Sequence, residues 1–575
     1  MEKYPNCKPR AISFYGLDDV LITHKRNPAL LQVAEIDVRW VADYNFPEEV
    51  LNLGYNFHRI EFFDDSHLRI PETVRELTVR SVYPLGGITS YSHYIQNLRL
   101  ENSTSITQLK HIPSNLSSLH IQFCLQRGYS KPTLPLPLQS LTLDVASHNP
   151  NSECDLSHLC NLRSFSSGSS LIPISCFHLP RQITCLTANW TSQNVLKTTG
   201  KCSKLKKLHA RSSLENMFKR IPFPRELQVL DIQMISPIRL EINENFTLPS
   251  NLKFLRISGI KVSYRLSELI LPPSLYFLEL RYCLLSSWTD LRLHPNLLTL
   301  KVLSGSISES QLPISLTMLN LDGCRFASLS GFDFGRLIHL VRVSMNYTQL
   351  ESIDCHFDSN LKFLSLKGNY LSKVSIDASK LKALDLGKCK IASFDPGSFK
   401  IPQSIVELTL ERAVIDTDLS NLVLPRCSRS LNSTRCNLTS DILMSWDLSN
   451  SCKQLRKVRL NGNKLTNIEA HFPKTLTSLD LSQNRIKIPE ENFFMHFNKL
   501  QDLAIADIGL DKCLRVLKTI DNASFKQLEF SNCNRLRYVS LFMNHKCDHE
   551  HLFADLKETC PLLEWIKGQT YRGLS

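Results

Sequence analysis

The sequence predicts a solenoid in which short parallel β-strands, one from each repeat, lie side by side in a single stack. Three observations lead to this prediction. The pattern L-x-x-L-x-L recurs along the chain, as in residues 316–321 (LTMLNL) and 361–366 (LKFLSL). Its copies begin between residues 74 and 525 at a mean interval of about 22.6 residues. Many copies are also preceded by proline, as in LPSNL, LPPSL and LPISL.

Each repeat is expected to start with a strand because side chains alternate between the two faces of an extended chain. The leucines at positions four and six of the pattern therefore point into a core, whereas positions three, five and seven face solvent. One repeat cannot bury its apolar side alone, so neighbouring repeats must stack. The strands are then predicted to form one parallel sheet.

The prolines predict the backbone on the opposite side of each repeat. Proline has a fixed φ and no N–H donor, so it suits the beginning of a strand or an extended segment better than a helix interior. We expect this side to be mostly extended or 3₁₀ backbone.

The ninth position of the pattern is predicted to form a structural ladder inside the stack. A small polar side chain there can hydrogen-bond to the backbone as it turns away from the strand. The residues assigned to this ladder are Cys124, Cys283, Cys324, Asn369, Cys389, Asn463, Asn484 and Cys533.

The pattern also predicts the organisation of the chain. Residues 55–545 form the solenoid, with about 22 repeats that are irregular near residues 418–450. Residues 1–54 are the least repetitive and are predicted to be an N-terminal cap. Residues 546–575 lose the pattern and are predicted to be a C-terminal cap, since an open solenoid end exposes core.

These motifs resemble the leucine-rich repeat superfamily, in particular the LPxSLxxLxL variety of fungal and amoebal FNIP-like repeat proteins and of bacterial effector proteins. The resemblance covers roughly residues 55–545. It implies a leucine-rich repeat solenoid, or horseshoe, with a parallel β-sheet on its concave face and a mostly extended or 3₁₀ convex side.

Composition and motifs argue against an enzyme. The chain has 575 residues and a net charge of +13, from 67 basic and 54 acidic residues spread along its length. No phosphate-binding glycine loop, nucleophile elbow or HExxH helix is present. The cysteines and histidines of residues 545–560 lack the paired C-x-x-C spacing of common zinc modules. We expect no catalytic residue, no cofactor and no bound metal.

The predicted location is cytoplasmic, nuclear or both. Residues 1–10 (MEKYPNCKPR) are polar and are not followed by the apolar segment of a secretory signal. No apolar run approaches the ~18 residues that a membrane span needs. The 18 cysteines are accordingly interpreted as mostly buried, reduced thiols.

The predicted partner is an unidentified protein, bound on the concave face by a monomer. Arginine and aromatic residues, which binding hot spots favour, are concentrated in the middle repeats. Nucleic acid is not the expected partner, since acidic residues such as Asp231 and Glu279 interrupt the basic ones. The candidate binding residues are Lys207, His209, Arg211, Phe254, Arg256, Phe277, Glu279, Arg281, Tyr282 and Lys301.

Two alternatives remain open from the sequence. The chain is similar to F-box repeat proteins, so it could be a substrate-recognition subunit of an SCF-type ubiquitin ligase. Residues 46–51 (FPEEVL) resemble the start of an F-box, but no amphipathic helical pattern follows. Residues 463–469 (NKLTNIE) are similar to the regulatory repeat protein of protein phosphatase 1.

Overall fold

Parallel β-strands about one repeat apart dominate the computed structural model of the chain. The chain divides into two compact units, unit 1 (Met1–Tyr276) and unit 2 (Phe277–Ser575). The structure describes residues 11–14, 16–32, 35–41, 54–62, 70–80, 94–101, 112–123, 133–145, 153–168, 174–190, 202–212, 223–234, 248–258, 270–282, 294–305, 312–326, 329, 332–357, 360–415, 421–446, 448–467, 472–484, 499, 502–504, 538–542 and 565–569.

Unit 1 is built on a sheet of parallel strands with two helices near its beginning. The helices are α1 (Leu17–Arg26) and α2 (Pro28–Gln32), and Ile174–Cys176 forms a 3₁₀ turn. The strands are β1 (Ala11–Phe14), β2 (Glu35–Val41), β3 (Phe57–Phe62), β4 (Glu76–Arg80), β5 (Asn97–Glu101), β6 (Ser118–Phe123), β7 (Ser140–Val145), β8 (Cys154–Asp155), β9 (Ser164–Ser167), β10 (Phe177–His178), β11 (Cys185–Trp190), β12 (Lys207–Ser212), β13 (Val229–Met234) and β14 (Phe254–Ser258). All belong to the sheet except β8 and β10, which pair with each other.

Unit 2 has one main sheet and two smaller three-stranded sheets. The main sheet contains β15 (Phe277–Arg281), β16 (Thr299–Leu303), β17 (Met318–Asn320), β18 (Arg342–Ser344), β20 (Phe363–Ser365), β23 (Ala383–Asp385), β26 (Glu407–Thr409), β28 (Ser430–Asn432), β29 (Lys457–Arg459), β30 (Ser478–Asp480), β31 (Asp502–Ala504), β32 (Tyr538–Phe542) and β33 (Trp565–Gln569). The smaller sheets contain β19 (Ser352–His356), β22 (Lys373–Asp377) and β25 (Phe399–Lys400), and β21 (Tyr370–Leu371), β24 (Lys390–Ile391) and β27 (Val414–Ile415). The remaining elements are a 3₁₀ turn at Phe334–Arg336 and helices α3 (Ser440–Ser445) and α4 (Leu448–Ser451).

The predicted parallel solenoid with little helix is confirmed by these elements. In the repeat of β20, Leu361, Leu364 and Leu366 are buried, whereas Lys362 is exposed. The same alternation recurs in β4, β14 and β16. Each buried leucine contributes about 1.5–3 kcal/mol through removal of apolar surface from water.

The proline motif forms a tight turn that leads into each strand. The N–H of Leu316 donates to the carbonyl of Pro313 at 3.2 Å, and Leu275 and Pro272 make the same bond at 3.1 Å. The serine of the LPxSL motif then joins neighbouring repeats, because the Ser315 hydroxyl donates to the Leu297 carbonyl at 2.8 Å. Ser274, Ser404 and Thr475 make equivalent bonds to the repeat before theirs. The motif therefore satisfies buried carbonyls between repeats.

The ninth-position side chains lie inside the stack and hydrogen-bond to the backbone. The Asn369 amide oxygen accepts from the N–H groups of Thr348 and Leu350 at 3.0 and 3.1 Å, and its amide nitrogen donates to the Met345 carbonyl at 2.9 Å. Asn463 and Asn484 make similar bonds. The thiols of Cys324 and Cys389 donate to carbonyls of the preceding repeat at 3.1 Å. The ladder residues Cys124, Cys283 and Cys533 lie outside the described residues.

The segment near residues 418–450 keeps its strand and adds helix. Ser428, Leu431 and Ser433 are buried at the positions that leucine usually occupies, and β28 stays in parallel register with β26 and β29. The Cys436 thiol takes the ninth position and donates to the Leu410 carbonyl at 2.9 Å. Helix α3 ends next to the buried Trp446, whose indole N–H donates to the Leu422 carbonyl at 3.1 Å, and α4 follows it. The irregularity therefore lies after the strand, on the side opposite the sheet.

The parallel sheet extends into both segments that the sequence assigns to caps. β1 pairs with β2, and β2 with β3, all parallel. At the other end β33 pairs with β32 in parallel. The L-x-x-L-x-L pattern is absent from the sequence of these two segments, yet their strands still pair in parallel. The repeat predicted near residue 525 lies outside the described residues, and β31 pairs directly with β32.

Candidate interaction surface

The solvent face of the parallel sheet carries the predicted binding residues. Register places the same repeat position of successive strands side by side, so that His209, Asp231 and Arg256 are neighbours on β12, β13 and β14. The ten predicted residues fall into two sets. Unit 1 contains Lys207, His209, Arg211, Phe254 and Arg256, and unit 2 contains Phe277, Glu279, Arg281, Tyr282 and Lys301.

A carboxylate organises the set in unit 1. The Asp231 Oδ2 atom accepts from Arg256 Nη1 at 3.1 Å and lies 3.2 Å from His209 Nδ1. Burial disfavours the carboxylate form of Asp231, but the hydrogen bonds and charges of His209 and Arg256 outweigh this and hold the pKa of Asp231 below its usual value. The Arg256 guanidinium also lies over the Phe254 ring, 5.3 Å from its centroid. These four side chains therefore form a connected cluster with a defined geometry.

The remaining residues of this set lie at the two ends of β12. Lys207 and Arg211 are both exposed, and they flank the half-exposed His209 on the same face of the strand. Their charged ends reach solvent, so they are accessible to a partner.

A fully buried carboxylate organises the set in unit 2. Glu279 has no exposed surface, although it occupies a position of β15 that points to the solvent face. The Arg281 guanidinium pairs with its Oε1 atom, and Lys301 Nζ lies 3.8 Å from its Oε2 atom. Lys301 Nζ also lies 5.4 Å from the centroid of the Phe277 ring. The two basic side chains cover the carboxylate and compensate its burial.

Tyr282 follows β15 and is the most exposed aromatic residue of the unit 2 set. Its side chain is 60% exposed. Its backbone has φ +59°, and its N–H donates to the Leu303 carbonyl at 2.8 Å. The phenol is thus held outward by a fixed backbone, as an aromatic anchor for a partner would be.

The sequence did not reveal which charges on the face are neutralised within the protein. Arg80 pairs with Glu61 and at 3.0 Å with Glu101, and Arg59 pairs with Glu76. These partners lie 17 to 21 residues apart in sequence and come together only through strand register. The signal that could have found them is opposite charge at the same repeat position of adjacent copies.

Within the part of the chain that the structure describes, no group of three or more His, Cys, Asp or Glu side chains is placed to hold a metal ion. Among those same residues, no helix combines the length and apolar character needed to cross a bilayer. The cysteines and histidines of residues 545–560 lie outside the described residues.

The chain is similar in sequence or in structure to several known proteins. A sequence profile described as "Leucine rich repeat" matches residues 453–507. The solved structure of a TLR13–ssRNA13 complex is similar with a TM-score of 0.51 and 16% identity, over 93% of this chain and 80% of that one. YopM from Yersinia enterocolitica WA-314 is similar with a TM-score of 0.37 and 17% identity, over 82% of this chain and 88% of that one. The circular LRR protein CroV588 has a TM-score of 0.45 and 14% identity, over 94% and 83% of the two chains. No curated protein matches the chain.

Proposed function

We propose that this leucine-rich repeat protein is a non-enzymatic interaction protein that binds a partner protein on the solvent face of its parallel sheet. Leucine-rich repeat proteins generally mediate protein–protein interaction, and stacked repeats create the extended surfaces that such binding uses. An intracellular location, with its thiols reduced, is part of the proposal. The assignment of these repeats to the FNIP-like variety remains a prediction.

The observation that carries the proposal is the ordered cluster of Asp231, His209, Arg256 and Phe254 on neighbouring strands. Side chains held by a sheet and by one another lose little conformational freedom when a partner binds, which favours affinity. Glu279 with Arg281 and Lys301 is held in the same way within unit 2.

A protein partner fits this face better than nucleic acid does. Asp231 and Glu279 neutralise the basic side chains around them, and a phosphate backbone needs a continuous row of unneutralised positive charge. A protein surface, by contrast, offers both signs of charge together with apolar groups.

The first experiment isolates the partner from the native host by affinity purification and mass spectrometry. Two variants then test the face: Arg211→Ala with Arg256→Ala in unit 1, and Tyr282→Ala in unit 2. Truncating a central basic or aromatic residue of an interface costs above ~1 kcal/mol and often ~2 or more. We therefore expect at least one variant to weaken binding about tenfold, measured by calorimetry, with the melting temperature nearly unchanged.

Matched controls change the same residue types elsewhere. Arg181→Ala with Arg225→Ala replaces two exposed basic residues of unit 1 that lie in turns, and Tyr370→Ala replaces a tyrosine of β21 that is 61% exposed. Both should leave affinity unchanged. Full affinity in both test variants would remove the sheet face as the binding surface. Recovery of ubiquitin-ligase core subunits in the affinity purification would favour the substrate-recognition alternative, and recovery of a phosphatase would favour the phosphatase-regulator alternative.

A further inference from the structure

A second surface of unit 2 carries a concentration of positive charge that the sheet face does not share. It is the N-terminal edge of the main sheet, formed by the residues around the first buried position of seven successive repeats: 338–342, 360–363, 379–383, 403–407, 426–430, 453–457 and 474–478. Glu407 is the one acidic residue of these segments. The ten lysines and arginines there are Arg342, Lys362, Lys380, Lys382, Arg426, Arg429, Lys453, Arg456, Lys457 and Lys474.

Backbone pairing aligns these residues into a row. The N–H of Lys382 donates to the Lys362 carbonyl at 2.9 Å, and the N–H of Arg456 donates to the Arg429 carbonyl at 2.9 Å. Val406 lies between the two pairs, bonded to Lys382 at 2.7 Å and to Arg429 at 2.8 Å. The row from Lys362 to Arg456 spans four strand spacings, roughly 19 Å.

The ten basic side chains are not neutralised within the part of the chain that the structure describes. All ten are exposed, and none forms an ion pair with a carboxylate among the described residues. On the opposite side of the same unit, by contrast, Lys373 pairs with Asp354 at 2.7 Å. Like charges at this spacing repel one another and oppose folding. Binding of a partner of opposite charge would remove this repulsion and so favour the complex.

The character of the neighbouring side chains favours a polypeptide over a nucleic acid. At one end of the row Ile338 and Val341 are 40% and 37% exposed. The single aromatic residue of the segments, Phe363, lies under the Arg342 guanidinium, 4.4 Å from its ring centroid. Single-stranded nucleic acids usually bind through stacking of bases on open aromatic rings. This edge instead offers exposed aliphatic side chains next to a basic row.

We propose that the N-terminal edge of unit 2 binds an extended acidic segment of another protein. Its carboxylates pair with Lys362, Lys382, Arg429 and Arg456, and apolar side chains at its end contact Ile338 and Val341. About six extended residues, at roughly 3.3 Å each, cover the row. This surface is separate from the residues of the proposed partner-binding face, so either site can be present without the other.

The test measures binding of defined probes to the full chain by fluorescence anisotropy at 50 and 200 mM NaCl. The acidic probe is a labelled peptide of two leucines followed by six glutamates, and the neutral probe replaces the glutamates with glutamines. An eight-residue oligouridylate tests the nucleic-acid alternative. We expect the acidic peptide to bind most tightly at 50 mM NaCl and several-fold more weakly at 200 mM, since exposed ion pairs are screened by salt.

Two charge-reversal variants make the measurement specific. The edge variant is Lys382→Glu, Arg429→Glu and Arg456→Glu, and the control variant is Lys390→Glu, Lys400→Glu and Lys464→Glu, which changes three exposed lysines elsewhere in unit 2. The edge variant should bind the acidic peptide at least tenfold more weakly, and the control less than twofold. Circular dichroism checks folding, and the triple glutamine variant of the edge residues replaces the glutamate variant if that one unfolds.

Three results would overturn the proposal. The first is failure of the acidic peptide to bind better than the glutamine peptide. The second is equal loss of binding in the edge and control variants, which would show only the effect of net charge. The third is tighter binding of the oligouridylate than of the acidic peptide at both salt concentrations. If the edge variant also loses that oligouridylate binding, the edge binds phosphate backbones.

Discussion

Some repeats have cysteine and others asparagine at the same buried ladder position, and the two residues hydrogen-bond to the backbone differently. Asn369 bonds to N–H groups and carbonyls of the previous repeat through both amide atoms. A thiol has only one weak donor, so Cys324, Cys389 and Cys436 each reach a single carbonyl of the preceding repeat. Burial raises the pKa of each of these three thiols to about 11. They are therefore protonated and unreactive in the folded protein.

This burial predicts a large difference in reactivity among the cysteines. At pH 8 a bulky maleimide should modify the exposed Cys160 and Cys427 quickly and leave Cys324, Cys389 and Cys436 unmodified until the protein unfolds. Peptide mapping by mass spectrometry measures each site. Rapid modification of the three buried thiols in the native protein would contradict their place in the ladder.

The same pKa shifts give the expected sign of the pH dependence. The folded state holds these protons more tightly than the unfolded state, so the stability they contribute is fully present below about pH 9 and is lost as the pH rises towards 11.

At the scale of the element, a residue with a left-handed backbone follows many main-sheet strands of unit 2. The residue at position eight of the repeat has a positive φ. This φ is +71° at Gly323 and +72° at both Gly368 and Gly462, and it is +54° at Tyr347 and +55° at Arg435. The side chains of Tyr347 and Arg435 pack against the glycine at the same position of the following repeat. The Tyr347 ring occupies the space beside Gly368, and the Arg435 side chain lies beside Gly462.

This arrangement makes Gly368 intolerant of any side chain. A left-handed backbone costs a residue with a Cβ atom about 1–2 kcal/mol, and a Cβ atom at Gly368 would also meet the Tyr347 ring. We expect Gly368→Val to lower the free energy of unfolding by about 2 kcal/mol or more, measured by urea denaturation. Gly397→Ala is the control, because nothing lies near its Cβ position and its φ is not left-handed. An equal effect of the two changes would argue against this packing.

At the scale of the whole molecule, stability is distributed over contacts between adjacent repeats. Each main-sheet strand of unit 2 pairs only with its neighbours in the sheet, as β20 does with β18 and β23. Solenoids of this kind behave as a sum of repeat stabilities and nearest-neighbour terms. A local defect is therefore expected to act mainly on adjacent repeats.

Leu364→Asp tests this expectation. Leu364 is fully buried in β20, and an unpaired buried carboxylate costs several kcal/mol. Hydrogen exchange should accelerate in β18, β20 and β23 and stay unchanged in β5 and β6 of unit 1. Lys362→Asp, at an exposed position of the same repeat, should leave exchange unchanged. Uniform acceleration through both units would show that the chain unfolds as one cooperative body.

The sequence by itself determined the repeat, the strand positions and the buried leucines. These follow from the spacing of apolar residues within about nine positions, which is local information. The motif LPxSL likewise predicted where strands begin, since proline and leucine define a turn within four residues. Asn369, Asn463 and Asn484 were assigned to the ladder on the same local basis.

The tertiary structure decided which charges are neutralised and which remain available. The contact of Glu279 with Lys301, and the joining of Asp231 to Arg256, depend on strands that are 22 to 25 residues apart in sequence. The basic row from Lys362 to Arg456 likewise exists only because register brings single residues of successive repeats to one edge. Repeat length varies slightly from copy to copy, so the residues that face one another cannot be found by counting along the sequence. The spacing of apolar residues also does not indicate which polar side chains come into contact. Pairing between strands, which is a non-local property, therefore determines the surface on which this protein can act.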